Sequence, residues 1–318
     1  MPIKKIAVRL AAAASLAIVL DIAIGAGLRH FYFTESSGFQ YPTTYAMEQT
    51  DAEELVFGSS RANHHYVPEI FEQGLGLSFY NAGRDGQGIL FHTAMLKSVA
   101  KRHAPKVVIL EYYGDFAWQE GGYDKLSALL PYYRDHEEIR SIVELKGPYE
   151  KLKLLSSVYP YNSELLSIAM GNLSINKARN ADHQGYAPLD GVWPEPRRPA
   201  KLADSGRLDD NKIAAFREFI AVAKGTGAKV FVVDSPIFMQ SPPDAGLALA
   251  RAICAENGVA FLDHTQDPRF VEHRELFKDI SHLNHDGARQ FSSLIAGTIR
   301  DHFQPEIQAV SPTKEIYR

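Results

Sequence analysis

Short apolar runs alternate with stretches of helical spacing along most of the chain beyond residue 50. Glu54–Phe57, Leu77–Asn81, Lys106–Glu111, Ala228–Asp234 and Val259–Leu262 are brief, rich in β-branched and aromatic residues, and lack helical spacing. Each predicts a buried strand. Val67–Gln73, Ile89–Arg102, Asn211–Lys224 and Pro243–Glu256 place apolar residues three and four apart and predict helices. Gly225 supplies a C-terminal stop. A closing helix over Asn284–His302 carries Ala288, Phe291, Leu294, Ile295 and Ile299 on one face. Strands alternating with helices imply βαβ units, hence an α/β chain: a three-layer αβα sandwich around a central parallel sheet. Ala117–Gly206 breaks this rhythm. It holds amphipathic pieces, Ile139–Leu155 and Asn162–Ile168, and a Pro/Gly/Arg-rich run, Gly185–Pro199. It reads as a helical insertion: a lid or partner surface, or a subdomain without a role of its own.

The N-terminus follows a different pattern. Lys4, Lys5 and Arg9 precede Leu10–Leu28, nineteen residues that are apolar apart from Ser15 and Asp21. At ~1.5 Å per residue this falls just short of the ~30 Å hydrocarbon core of a bilayer. The preceding positive charges place the N-terminus in the cytoplasm and the rest outside. The rival is a cleaved signal peptide, with Leu10–Leu20 as its apolar core and small residues at Gly25 and Ala26 for cleavage. Both readings export the domain. Asp21 is costly in lipid, so it either meets a partner, lies near the outer interface, or belongs to a segment that is removed. The expected organisation is an anchor over 1–30, a polar and aromatic stalk over 31–51, the α/β domain over 52–303 with its insertion at 117–206, and a loose tail over 304–318.

Composition narrows the chemistry. A net charge of −4 over 318 residues carries no basic signature for nucleic acid. The single cysteine, Cys254, excludes an internal disulfide and Cys-based zinc sites. Gly83-x-x-Gly86-x-Gly88 is an incomplete dinucleotide fingerprint, and adjacent His64 and His65 do not share a helix face. No metal or cofactor is expected.

Active groups of open parallel sheets gather beyond the carboxyl ends of the strands. Four stretches fall there. Gly58-Ser59-Ser60 follows the first strand, and Gly58 allows a sharp turn that exposes a serine hydroxyl. Ser60 is the expected nucleophile and Ser59 its competitor. The glycine loop after the second strand offers the N–H of Gly86, or of Gly83, to an oxyanion. Asp115 follows the third strand. Near the other end of the chain, Asp279 stands three residues before His282, so that it can orient the imidazole if the segment turns, or simply cap that turn. His285 has no aspartate at the same spacing.

A serine early and Asp-x-x-His late is the chain order of the SGNH (GDSL-like) hydrolase superfamily, and the sequence resembles it in blocks from Glu54 to Arg300. Gly58-Ser59-Ser60 is similar to its first block, Asn81–Gly86 to its second, and Asp279–His282 to its last. Ser59 stands where the superfamily usually has aspartate. The chain is most similar to the membrane-anchored, extracytoplasmic branch, the DltD-like and alginate-acetylation-like proteins. The resemblance implies a periplasmic serine acyltransferase or esterase acting on O-acyl groups, acetyl above all, of an exported polysaccharide. Ser60 is then the nucleophile, His282 the base, Asp279 its support, and the N–H groups of Ser60 and Gly86 the oxyanion donors. It also implies a membrane-bound O-acyltransferase or glycan synthase as partner, with a helix for Asp21 to meet.

The third block departs from the family's Gly-x-Asn-Asp: here it reads Glu111-Tyr112-Tyr113-Gly114-Asp115-Phe116. Asp115 falls near the asparagine, and an ionised carboxylate cannot donate to an oxyanion. The hole then uses other donors, or Asp115 is protonated or turned away. Arg61 compensates electrostatically, binds an acidic glycan, or pairs with Asp115. The departure keeps a second expectation open, a non-catalytic assembly subunit of a polysaccharide modification or export complex. Tyr112, Tyr113, Trp118, Tyr132 and Tyr133 cluster after the same strand, as sugar-binding faces or as packing.

Overall fold

The computed structural model describes residues 2–114, 116–119, 121–173, 183–196, 207–239 and 245–309. Its centre is a five-stranded sheet in the order β2-β1-β3-β4-β5. The strands are β1 (Glu54–Phe57), β2 (Phe79–Asn81), β3 (Val107–Glu111), β4 (Lys229–Asp234) and β5 (Ala260–Asp263). Every pairing is parallel, with Glu54 opposite both Phe79 and Val107, and Leu110 opposite Val232. The chain steps from β1 to β2 on one side, then crosses to β3 on the other. The topological switch point, where open α/β sheets hold their ligands, therefore lies at the end of β1.

In chain order the helices are α1 (Pro2–Phe33), α2 (Tyr41–Glu48), α3 (Ser60–His65), α4 (Pro68–Leu75) and α5 (Ile89–Arg102). The described residues of the insertion contribute 3-10 turns and three short helices, α6 (Arg140–Val143), α7 (Glu150–Lys153) and α8 (Leu165–Asn172). Then come α9 (Asp210–Gly225), α10 (Ala245–Glu256), α11 (Pro268–Val271) and α12 (His285–Ala309). Residues 240–244, where the sequence begins its helix at Pro243, and residues 310–318 of the expected tail lie outside the described residues.

Side chains alternate across the strands. Leu55, Phe57, Val108, Leu110 and Val232 face one way and pack with α5, α9 and α10 through Ala94, Met95, Phe216, Phe219 and Ile253. Val56, Ile109, Phe231 and Val233 face the other way, onto Phe71 of α4 and Phe291, Ile295 and Ile299 of α12. The insertion builds onto the first face: Leu126, Leu129, Ile139 and Val143 are buried in the same cluster.

Residues 31–51 do not stand off as a stalk. Tyr32, Ala46 and Met47 are part of the main core. Thr44 Oγ1 meets the Tyr132 hydroxyl at 2.6 Å, Arg84 donates to Gln40 Oε1 at 2.6 Å, and Arg102 donates to the Thr50 carbonyl at 2.6 Å. The segment is polar because it is held by hydrogen bonds, and polarity is what made it read as solvent-facing. α1 is long and apolar enough to cross a membrane over Ile3–Phe33, a property that also suits a signal sequence.

Candidate active site

β1 ends against β3, and the chain must turn there at once. Gly58 does this at φ 147°, and a Cβ on it would lie 2.7 Å from Glu111 Cβ and 2.8 Å from the Glu111 carbonyl oxygen. Only glycine fits that approach. Ser59 takes the N-cap position of α3 without a side-chain capping bond, and Ser60 is the first helical residue. Its N–H lies in the first turn, where the helix supplies no acceptor.

Ser60 Oγ lies 2.7 Å from His282 Nε2. On the other side of the ring, Nδ1 lies 2.9 Å from Asp279 Oδ2 and 3.0 Å from Oδ1. A carboxylate accepts only, so the neutral imidazole carries its proton at Nδ1, and Nε2 accepts from the serine. Asp279 also caps its own turn: Oδ1 accepts the N–H groups of Ser281 at 2.8 Å and His282 at 2.9 Å. Partial burial pushes this carboxyl up, but the His282 ring and these backbone donors outweigh it and hold it below the ordinary carboxylate value. Both roles left open for Asp279 are thus filled at once. Ser59 makes no bond to the histidine, and His285 Nδ1 is engaged with the Tyr186 hydroxyl at 2.9 Å.

A strap from the Pro/Gly-rich run pins the histidine loop on both flanks. Trp193 N–H donates to the Phe277 carbonyl at 2.8 Å, and His285 N–H donates to the Leu189 carbonyl at 2.8 Å. Asn284 Nδ2 donates to the Gly191 carbonyl at 3.0 Å.

Beneath the triad runs a buried polar network that the sequence did not reveal. Leu283 N–H donates to His65 Nε2 at 3.0 Å; His65 Nδ1 then donates to Ser235 Oγ at 2.8 Å, and Ser235 Oγ to Glu111 Oε1 at 2.7 Å. Glu111 also accepts the Tyr66 hydroxyl. Burial first, then the neighbouring His282, drives the His65 pKa well below its ordinary value, so the ring is neutral. The only advance signal was a charged residue closing each of two apolar strands, Glu111 on β3 and Asp234 on β4.

Arg61 belongs to this network and not to the substrate side. Its guanidinium is buried, 3.1 Å from Glu111 Oε1 and 2.8 Å from Asp234 Oδ1, and it donates to the Ser235 carbonyl at 3.0 Å. The expectation that it faces an oxyanion or a glycan is corrected: the guanidinium is buried against the strand-end carboxylates of Glu111 and Asp234, themselves buried, and they take the charge. One guanidinium faces two buried carboxylates. Burial pushes Asp234 up to about 7; Arg61 opposes this and Glu111 adds to it. Asp115, the other residue expected there, lies outside the described residues.

A cavity of about 310 Å³ opens at Ser60 and His282. Ile89, Leu90, Leu110, Phe116 and Phe216 give it an apolar wall, and Gly86 and Tyr113 also line it. The two loop glycines separate here. Gly83 N–H is already donated to Asn81 Oδ1 at 2.9 Å, and a Cβ on Gly83 would lie 2.6 Å from Asn63 N. Gly86 N–H has no acceptor among the described residues, and the space beside its α-carbon is open. Of the five aromatics, Tyr112 and Tyr132 are buried packing residues and Tyr133 donates to Glu144 at 2.8 Å. Tyr113 and Trp118 remain exposed.

A scan against protein-family models finds no match for the chain, and a search of curated proteins finds none either.

Proposed function

We propose that the protein is an extracytoplasmic serine acyltransferase or esterase of the SGNH (GDSL-like) kind, acting on O-acyl groups of an exported or cell-surface polysaccharide. The reading rests above all on one contact, the 2.7 Å approach of Ser60 Oγ to His282 Nε2 across 222 residues of chain, with Asp279 behind the ring. The polysaccharide, and acetyl as the acyl group, come from the family resemblance; exposed Tyr113 and Trp118 give sugar rings a surface to stack on.

The geometry supports the following chemistry. Ser60 Oγ attacks the acyl carbonyl carbon while its proton passes to His282 Nε2. Asp279 stabilises the resulting imidazolium. The N–H groups of Ser60 and Gly86 face the developing oxyanion. As the tetrahedral intermediate collapses, His282 gives the proton to the departing alkoxide, leaving an acyl ester on Ser60. His282 then deprotonates a sugar hydroxyl or water. That oxygen takes the acyl group, and Ser60 recovers its proton. The cavity is roomier than an acetyl group needs and also accommodates part of the donor.

The test is turnover of p-nitrophenyl acetate and longer p-nitrophenyl esters by the full chain in detergent, beside Ser60→Ala. Ester cleavage confined to the wild type supports the reading. Equal turnover in both rules out Ser60 as the nucleophile, and no turnover in either favours an assembly subunit that partners a membrane-bound O-acyltransferase.

A further inference from the structure

We infer that residues 149–173 of the insertion are seated in the outer leaflet of the membrane, docked on α1 through Asp21. This rests on α1 crossing the bilayer and is independent of the catalytic reading.

The surface of this segment is unlike the rest of the domain. Leu152, Leu155, Leu166 and Leu173 are exposed at 64, 74, 75 and 69%. α8, with the sequence LLSIAMGN, holds no charged residue. Ile168 and Gly171 face inward, while Leu166, Met170 and Leu173, spaced four and three apart, form an outward stripe. A helix apolar on both faces suits lipid better than water. Lys151 and Lys153 flank Leu152 and are paired with Glu144 and Glu150 at 3.0 and 3.2 Å. Their long stems lift such charges towards headgroups.

The patch is continuous with α1. A Cβ on Gly25 would lie 2.3 Å from Ser157 Cβ, so α1 and the insertion touch there, and a Cβ on Gly171 would lie 2.6 Å from Glu35 Cδ in the segment just beyond the end of α1. Asn172 Nδ2 donates to the Phe31 carbonyl at 3.0 Å. Beside these contacts Ile22, Ile24 and Phe31 of α1 stay exposed.

Asp21 sets the depth. It precedes Arg29 by eight residues, ~12 Å along a helix. With Arg29 at the outer polar boundary, Asp21 lies inside the leaflet. Oδ2 accepts the Ser157 N–H at 2.6 Å, and Oδ1 accepts the Ser156 hydroxyl and the Val158 N–H at 3.4 Å. A carboxylate in hydrocarbon needs donors, and irregular backbone at that depth needs acceptors. Each supplies the other. A loop that reaches Asp21 brings Leu152 and Leu155 down with it, and lipid acyl chains are the occupant that covers them.

The test places an environment-sensitive fluorophore on Leu155→Cys or Leu166→Cys of the full chain in phosphatidylcholine vesicles. Buried Cys254 stays unlabelled. Labels on Ile18→Cys and Glu256→Cys report the anchor and the domain surface. Spin-labelled lipid is expected to quench positions 18, 155 and 166 several-fold more than 256, with iodide showing the reverse order. Asp21→Ala is expected to abolish lipid quenching at 155 and leave it intact at 18. Iodide quenching at 155 and 166, with 18 still lipid-accessible, overturns the inference. So does protection from both quenchers, which points to a second copy covering the patch. Iodide access at 18 as well shows that the anchor itself has failed.

Discussion

At the scale of single residues, Ser60, His282 and Asp279 form a chain of donors and acceptors from hydroxyl through imidazole to carboxylate. Ser60→Ala is expected to lower ester turnover by about 10⁴-fold or more. His65 acts one step further out. It makes no bond to Ser60 but accepts the N–H of Leu283, the residue after His282. His65→Leu leaves that buried donor unpaired, at about 1–3 kcal/mol of stability. It is expected to lower kcat with KM nearly unchanged, while His65→Asn, which keeps an acceptor, restores part of the loss. Steady-state kinetics on both variants checks this. These three residues were legible because each signal is local: Asp279 and His282 lie three residues apart, and Ser60 follows a strand. Arg61 was not, because the carboxylates that claim it close strands 50 and 173 residues away, and nothing near position 61 in the sequence announces them.

At the scale of elements, all five strands stand within two residues of where the apolar runs place them. Buried parallel strands read as continuous apolar stretches, so their signal is strong. α2 and α3 were missed for the opposite reason. α3 is six residues of polar sequence, and Arg61, His64 and His65 are nonetheless buried, because partners from β3, β4 and the surrounding loops satisfy them. Such an element is visible only once the tertiary structure is known. Its dependence on those partners is testable: Arg61→Met strands Glu111 and Asp234 without their cation and is expected to cost about 3–5 kcal/mol. Urea unfolding monitored by tryptophan fluorescence measures this. A variant as stable as the wild type would show that the buried ion cluster contributes nothing net.

At the scale of the whole molecule, stability carries a pH signature. Glu54 begins β1, is fully buried, and its oxygens accept no hydrogen bond among the described residues. Burial pushes its carboxyl up to about 8 from an ordinary 4.5. Between those values the unfolded chain has released the proton while the fold retains it. Stability therefore falls as pH rises, by about 1.4 kcal/mol per pH unit for this group, and levels off above about 8. Asp234, raised to about 7, acts in the same direction over a lower window. Glu54→Gln removes the first contribution. The Tm of the variant relative to wild type is expected to climb steadily from pH 5 to 8, and a difference independent of pH would show that Glu54 is ionised in the fold.

The proposed catalysis depends on Ser60 being a nucleophile activated by His282. A fluorophosphonate probe, followed by intact mass and peptide mapping, reads this directly on the full-length protein. The expected result is one phosphonyl adduct, on the peptide carrying Ser60, absent from Ser60→Ala and greatly slowed in His282→Ala. A folded wild-type protein that takes up no probe, or a Ser60→Ala variant labelled as fast as wild type, contradicts it.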